Sequence, residues 1–206
     1  MNADVEHIEK VYNRYSRFYD LLFGPIFRSG REIAPLLLDL APGSRLLEVG
    51  VGTGLSLPML PQNIQITGVD LSGKMLEQAR RRTKELGLEN VQLLKMDATR
   101  LDFPAGSFDR ILAAYFVSAV PDAVMVIEEM KRVCKKGGYL VFLNHFRNEN
   151  PVLGSLEALI SPLCYRIGFR TDLDRKELMR ECGLEIESEM PIDFLGHWKA
   201  IRCVNP

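Results

Sequence analysis

Leu46-Leu47-Glu48-Val49-Gly50-Val51-Gly52-Thr53-Gly54 is the stretch on which the fold turns. An apolar run ending in three closely spaced glycines is a buried strand entering a tight turn, where the missing side chains let backbone N–H groups approach a ligand. The motif predicts a following helix whose positive end faces the same ligand. Glu48 lies inside the run, and Asp70 ends the next apolar run 18 residues after Gly52, so two carboxylates share one end of a sheet. An acid in the second place can accept hydrogen bonds from both hydroxyls of a ribose. Asp97 ends a third run at a corresponding height and is an acceptor suited to an adenine amino group. A single strand-end acid is as often a turn former. Three features in this order make a nucleoside site the better reading, and Gly-x-Gly-x-Gly in place of Gly-x-Gly-x-x-Gly argues against NAD.

Working outward, β-rich runs at 45–49, 64–69, 91–96, 110–115 and 139–144 alternate with helical stretches, the pattern of a parallel sheet wrapped by helices. Ser72 caps a predicted helix over 73–86 stopped by Gly87, and Asp122 caps another ending before Gly137 and Gly138. Runs 184–190 and 198–204 read as two more strands, antiparallel at the sheet edge. Before them lies a long connection, 148–170, bounded by Pro151 and Pro162, rich in Leu, Ile, Tyr and Phe, with Glu149 and Glu157 its only acids.

Ahead of the sheet, Ile8, Val11, Tyr12, Tyr15, Phe18, Tyr19, Leu22 and Ile26 follow helical spacing, with Glu9, Lys10, Asn13, Arg14, Arg17 and Asp20 opposite. This is an amphipathic helix with an aromatic stripe. The plainer reading docks the stripe on the domain; the sharper one has it cover a cofactor or touch a membrane surface, aided by Arg14 and Arg17. The charged run Arg80, Arg81, Arg82 and Lys84 reads first as a solvated helix face.

The whole chain, 206 residues with 47% hydrophobic and 26% charged, suits one α/β domain rather than a disordered or disulfide-built chain. Lys and Arg number 26 against 27 Asp and Glu, which removes the electrostatic case for a nucleic-acid partner. No apolar run approaches the roughly 20 residues of a membrane span, and the acidic start is unlike a secretory signal, so the expected location is cytoplasmic. The cysteines (134, 164, 182, 203) and histidines (7, 145, 197) show no ligand spacing, and no metal is expected.

Glu48 to Gly54, then Gly68-Val69-Asp70-Leu71-Ser72 with Met75-Leu76, Met96-Asp97-Ala98, Ser107-Phe108-Asp109 and Lys136-Gly137-Gly138, resemble the class I S-adenosylmethionine-dependent methyltransferases. The resemblance implies a Rossmann-like, seven-stranded, mostly parallel sheet with an antiparallel final strand and helices on both faces. It also implies S-adenosylmethionine as cofactor and S-adenosylhomocysteine as product. Glu48, Gly50, Gly52 and Gly54 would hold the methionine end, Asp70 with Leu71 and Met75 the ribose side, and Asp97 with Ala98 the adenine. Within that family the motif through Leu55-Ser56-Leu57-Pro58, the segment from Ala114 to Asp122 and Asn144-His145-Phe146 look similar to bacterial phosphatidylethanolamine N-methyltransferases.

That resemblance implies a phospholipid substrate and a chain divided into a lid or membrane-contact segment (1–30), a cofactor core (45–145) and a substrate-side region (146–206). An ethanolamine nitrogen must lose a proton before attack. His145, after the fifth predicted strand, is the expected base and Tyr19 a second catalytic group that orients the amine. Either residue has a plainer reading as a hydrogen-bonded or packed side chain. Tyr15, Tyr19, Tyr115 and Trp198 offer aromatic faces to a methylated ammonium, and Asn144 with His145 completes the expected acceptor site. A diacyl lipid leaves its bilayer only at about 0.8 kcal/mol per exposed CH₂, so the enzyme is expected peripherally at the inner face of the cytoplasmic membrane, on anionic lipids. Arg28, Arg31 and the apolar Val152, Leu153, Leu156, Leu159, Ile160 and Leu163 would join that contact. A quinone precursor or small soluble metabolite is the alternative acceptor, a non-catalytic cofactor sensor is a further reading, and the oligomeric state is left open.

Overall fold

The computed structural model describes residues 3–16, 19–148, 150–166, 168–193 and 198–206. Arg17, Phe18, Glu149 and His197 lie outside these, and the Leu22 side chain is likewise not described. Seven strands form one sheet: β1 (Arg45–Val49), β2 (Gln65–Asp70), β3 (Val91–Lys95), β4 (Phe108–Ala114), β5 (Cys134–His145), β6 (Ile186–Pro191) and β7 (Trp198–Val204). Their order is β3-β2-β1-β4-β5-β7-β6. The first five pair in parallel, while β7 lies antiparallel to both β5 and β6. This is the Rossmann-like methyltransferase arrangement, with the antiparallel strand where the sequence suggested it.

The sheet is buried on both faces because successive side chains alternate between two apolar cores. Along β5, Leu140 and Phe142 enter one core with Ile127 and Met130 of α5 (Ala123–Val133). Val141 and Leu143 enter the other with Ala34 and Leu38 of α3 (Arg28–Leu38). Leu76 of α4 (Gly73–Glu85) completes the second core beside Leu46. Ser72 Oγ accepts from Met75 N, and Asp122 Oδ1 from Met125 N, so both expected caps form.

Four expectations need correction. The glycine motif is not followed by a helix: only a single 3₁₀ turn, Leu57–Met59, intervenes before β2, because Pro58 and Pro61 deny the backbone donors and geometry a helix needs. The N-terminal stripe is not one helix but α1 (Ala3–Tyr15) and a short α2 (Tyr19–Phe23), and Ile26 is exposed in the turn beyond. The connection 148–170 is mostly α6 (Pro151–Arg166): Asn150 Oδ1 accepts from Val152 N at 3.0 Å, and Pro151 occupies the first turn, where its missing N–H costs nothing. β5 starts five residues early, at Cys134, across an irregularity facing Phe108 and Arg110.

Candidate active site

The carboxyl ends of β1 to β4 open into a cleft of about 820 Å³ counted to its mouth. Seven of the nine expected cofactor residues line it: Gly50, Gly52, Asp70, Leu71, Met75, Asp97 and Ala98. Glu48 lines an adjoining cavity of about 270 Å³ that shares Tyr19, Gly50, Gly52 and Ala114 with the cleft. Gly54 lines neither; a Cβ there would meet Leu57 and Ala79 at 2.9 and 3.2 Å, so it serves the packing of the loop on α4. Gly50 has φ +74°, and a Cβ would press the Phe116 ring at 2.1 Å, which together admit only glycine.

Asp70 is held rigidly at the cleft. Its Oδ2 accepts from Gly52 N at 2.9 Å and its Oδ1 from Ser72 N at 2.8 Å, fixing the carboxylate and leaving lone pairs on both oxygens. Burial pushes its pKa up to about 6, against the backbone donors of Ser72, Gly52 and Leu71 that lower it. Glu48 is fully buried, with Ser56 Oγ donating to its carboxylate at 2.5 and 2.7 Å, and burial pushes it up to about 7. Asp97 Oδ1 accepts from Thr99 N and Oγ1 in the turn after β3, which holds it at the rim.

The N-terminal helices close over this cleft with their apolar side inward. Ile8, Glu9 and Tyr12 of α1 and Tyr19 of α2 join its lining. The lid is tied down at several places: Glu9 pairs with Lys95 at 2.8 Å, Ser72 Oγ donates to Asn13 Oδ1 at 2.7 Å, and Tyr12 Oη donates to the Gly168 carbonyl at 3.0 Å. Asp20 accepts from Thr53 Oγ1 and from Arg82 Nη2, each at 2.6 Å, while Arg82 Nη1 also donates to the Thr53 carbonyl. Arg82 is thus turned from the expected solvated face onto the glycine loop.

Of the acceptor-side residues, Tyr19 and Tyr115 line the cleft; Tyr15, Asn144, His145 and Trp198 do not. Tyr115 follows β4 at φ +59°, its ring stacked on Phe27 with centroids 4.1 Å apart, and Oη donates to the Phe27 carbonyl at 3.2 Å. Trp198 packs behind it, 5.4 Å from Tyr115 and 4.7 Å from Phe27. His145 is one ring further out, edge-on to Trp198 at 5.3 Å, with Nε2 3.5 Å from Glu157 Oε1 of α6. Asn144 is fully buried, taking Ser118 Oγ at 3.1 Å and donating to the His145 carbonyl at 2.6 Å. Burial raises the Tyr19 hydroxyl above its usual pKa although Arg31 opposes the shift, so at neutral pH it is a phenol that donates and accepts, not a phenolate base. Sequence reasoning missed two residues here. Tyr12 was in the aromatic stripe, seven positions from Tyr19; Arg31, assigned to the surface with Arg28, is buried instead.

A carboxylate fixed at the mouth of a cleft, a second acid beside a glycine loop, and a closed lid over a doubly covered parallel sheet suit a nucleoside cofactor. The family described as Methyltransferase domain matches residues 47–142. A phosphatidylethanolamine N-methyltransferase of Cereibacter sphaeroides is 37% identical over 200 residues, covering 97% of this chain and 98% of its own. A demethylmenaquinone methyltransferase of Listeria welshimeri is 32% identical over 176 residues, covering 74% and 75%. The crystal structure of a possible histamine N-methyltransferase from Thermotoga maritima superposes with a TM-score of 0.71 at 25% identity, covering 97% of this chain and all of that one. The chain belongs to the S-adenosylmethionine-dependent methyltransferase family. It is an enzyme of that activity, and the Asp70, Asp97 and Glu48 placements fit its cofactor.

Proposed function

We propose that this enzyme methylates the amine of phosphatidylethanolamine and of its partly methylated forms, toward phosphatidylcholine, at the inner face of the cytoplasmic membrane. The observation that carries this reading is the end-to-end similarity to a phosphatidylethanolamine N-methyltransferase, where the quinone enzyme matches only three quarters of the chain. The cofactor supplies an already activated methyl group, so the protein's task is to align a neutral amine and exclude water. Tyr19, shared by both cavities, orients that amine through its hydroxyl, and Tyr115 walls the approach. The proton leaves to solvent before transfer. His145 acts as a positioning residue, holding Trp198 behind Tyr115.

The membrane contact falls on α6. Val152, Leu156, Leu159 and Leu163 recur at helical spacing, and each is more than half exposed, a stripe that lipid would cover. Among the described residues no helix is long and apolar enough to cross a membrane, so α6 lies on the surface. Leu21 and Ile26, also exposed, extend the contact from the lid, and the exposed Arg14 stands ready for anionic head groups, while Arg28 is exposed but paired with Glu32 at 2.8 Å.

The test mixes purified enzyme, S-adenosylmethionine and phosphatidylethanolamine vesicles with some anionic lipid, and reads lipid masses. Stepwise gains of one CH₂ are expected. No gain, with product still binding in a parallel titration, would overturn the lipid acceptor and favour ring methylation of a quinone precursor, which the demethylmenaquinone relative supports.

A further inference from the structure

The polarity of α6 is inverted. Its exposed side carries the apolar Val152, Leu156, Leu159 and Leu163, while the residues it turns inward, Gly154, Glu157 and Ser161, are small or polar. Among the described side chains, apolar burial therefore contributes little to its docking, and polar ties hold it instead. Ser161 Oγ donates to Asp172 Oδ1 at 2.8 Å and accepts from Thr171 N at 3.2 Å, and Thr171 Oγ1 donates to the Glu157 carbonyl at 2.7 Å. Those ties need only a hydroxyl and a backbone carbonyl. Position 157 adds a carboxylate that is 9% exposed, a group costly to bury unless its oxygens have partners.

The partners lie at the end of β5 and just beyond it. Glu157 Oε2 accepts from Asn148 N at 2.7 Å, and Oε1 stands 3.5 Å from Nε2 of the buried His145. Gly154 permits this approach: a Cβ there would strike the Asn148 carbonyl at 2.6 Å. The first turn of α6 thus lies against the chain leaving β5 and brings position 157, one turn on, to the imidazole. From His145 the rings continue in file, edge-on to Trp198 at 5.3 Å, and from Trp198 edge-on to Tyr115 at 5.4 Å. Tyr115 faces the cleft at φ +59°, an uncommon conformation that persists only where its surroundings hold it. A carboxylate facing Nε2 fixes the tautomer and plane of the imidazole, the first member of that file.

We propose that Glu157 is a positioning residue for methyl transfer, acting through His145 and Trp198 to hold Tyr115 as the wall past which the acceptor amine approaches. The proposal deepens the reading above and rests on it for the acceptor. One helix then presents one face to lipid and keys the other to the acceptor wall.

The test is a double-mutant cycle on kcat with phosphatidylethanolamine vesicles, joined to the emission of Trp198, the chain's single tryptophan. Glu157→Ala should lower kcat about three- to tenfold, as His145→Ala does, and the double variant no further than either alone, because both changes break the same file. Glu157→Gln, whose amide oxygen still faces Nε2, should recover most of kcat. Binding of S-adenosylhomocysteine and co-sedimentation with vesicles should stay within about threefold of the parent in every variant. Trp198 emission should shift in Glu157→Ala, return in Glu157→Gln, and show no further change when Glu157→Ala is added to His145→Ala. Losses in kcat that multiply in the double variant, or a loss of vesicle binding large enough to account for the lowered rate, would overturn the proposal and leave Glu157 a strut of α6. Unmoved Trp198 emission would overturn it as well. If the parent methylates no phospholipid, the lipid reading fails by itself; the coupled emission shift then still supports the file from Glu157 to Trp198, and its absence overturns it.

Discussion

Glu48 and Asp70 hold protons more tightly folded than unfolded, since burial pushes them up to about 7 and about 6 from 4.5 and 3.8. Between about pH 4 and 7 the folded chain therefore binds more protons than the unfolded one, and these two groups make the free protein less stable as pH rises through that window. With Asp70 on the ribose and Glu48 on the methionine end, as the family resemblance implies, ligand binding would run the other way, because both contacts favour ionised carboxylates. Affinity for S-adenosylhomocysteine should rise from about pH 5 to 8, with up to two protons released per binding event near pH 6, read as a dependence of the binding heat on buffer ionisation enthalpy. Binding that ignores pH would remove the carboxylates from the ligand. His145 makes the opposite case, where rim position suggested chemistry but the side chain was placed behind Trp198. Its replacement by Ala should lower kcat by less than about tenfold and leave the pH profile unmoved, whereas loss of a base would cost on the order of a hundredfold and reshape the profile.

Two elements outside the sheet can be tested separately, the lid over the cleft and α6 with its exposed apolar stripe. The lid's second helix is held by Asp20, which takes both Thr53 and Arg82, a partly exposed pair contributing about 1 kcal/mol. Asp20→Ala should speed proteolysis of the segment between α1 and α3 and weaken product binding about three- to tenfold. An unchanged cleavage pattern would mean that the lid does not depend on the strap. On α6, Leu156→Asp with Leu159→Asp should abolish co-sedimentation with anionic vesicles and leave the melting temperature within about 2 °C, because both side chains face outward in the free protein. Retained sedimentation would move the contact elsewhere. The helices that sequence reading recovered, α4 and α5, are those with a side-chain cap immediately before an uninterrupted pattern. Of the three it missed, α3 contains Gly30 and Pro35 and α6 contains Pro162, breakers by local rule that tertiary packing overrides, while Arg175–Glu181 is capped by Asp174 but runs for only seven residues. Pro35 forgoes one intrahelical bond, a loss offset by Ala34, Leu37 and Leu38 buried against the sheet.

Across the whole molecule, what was legible was what is contiguous. The strand-end acids and the glycine loop announce themselves because each motif lies within a few residues, and parallel pairing then brings them to one edge. Arg31 could not be read this way, since its burial arises only where α3 crosses the end of β4, beside the cavity it shares with Glu48. The same contrast governs how the sheet is completed. Strand β6 has one neighbour, β7, and β7 alone joins it to β5. The last nine residues of the chain are therefore a keystone: a message that stops at residue 197 forfeits two strands, not one. Val141 and Leu143 lose the cover of Ala200 and its neighbours, and the β5 backbone becomes an open edge onto which another copy can zip. Such a truncated chain is expected to partition into the insoluble fraction on expression even though every residue of its cofactor cleft has been translated. Solubility of this enzyme thereby depends on β7, a strand that contributes no residue to the lining of the cleft.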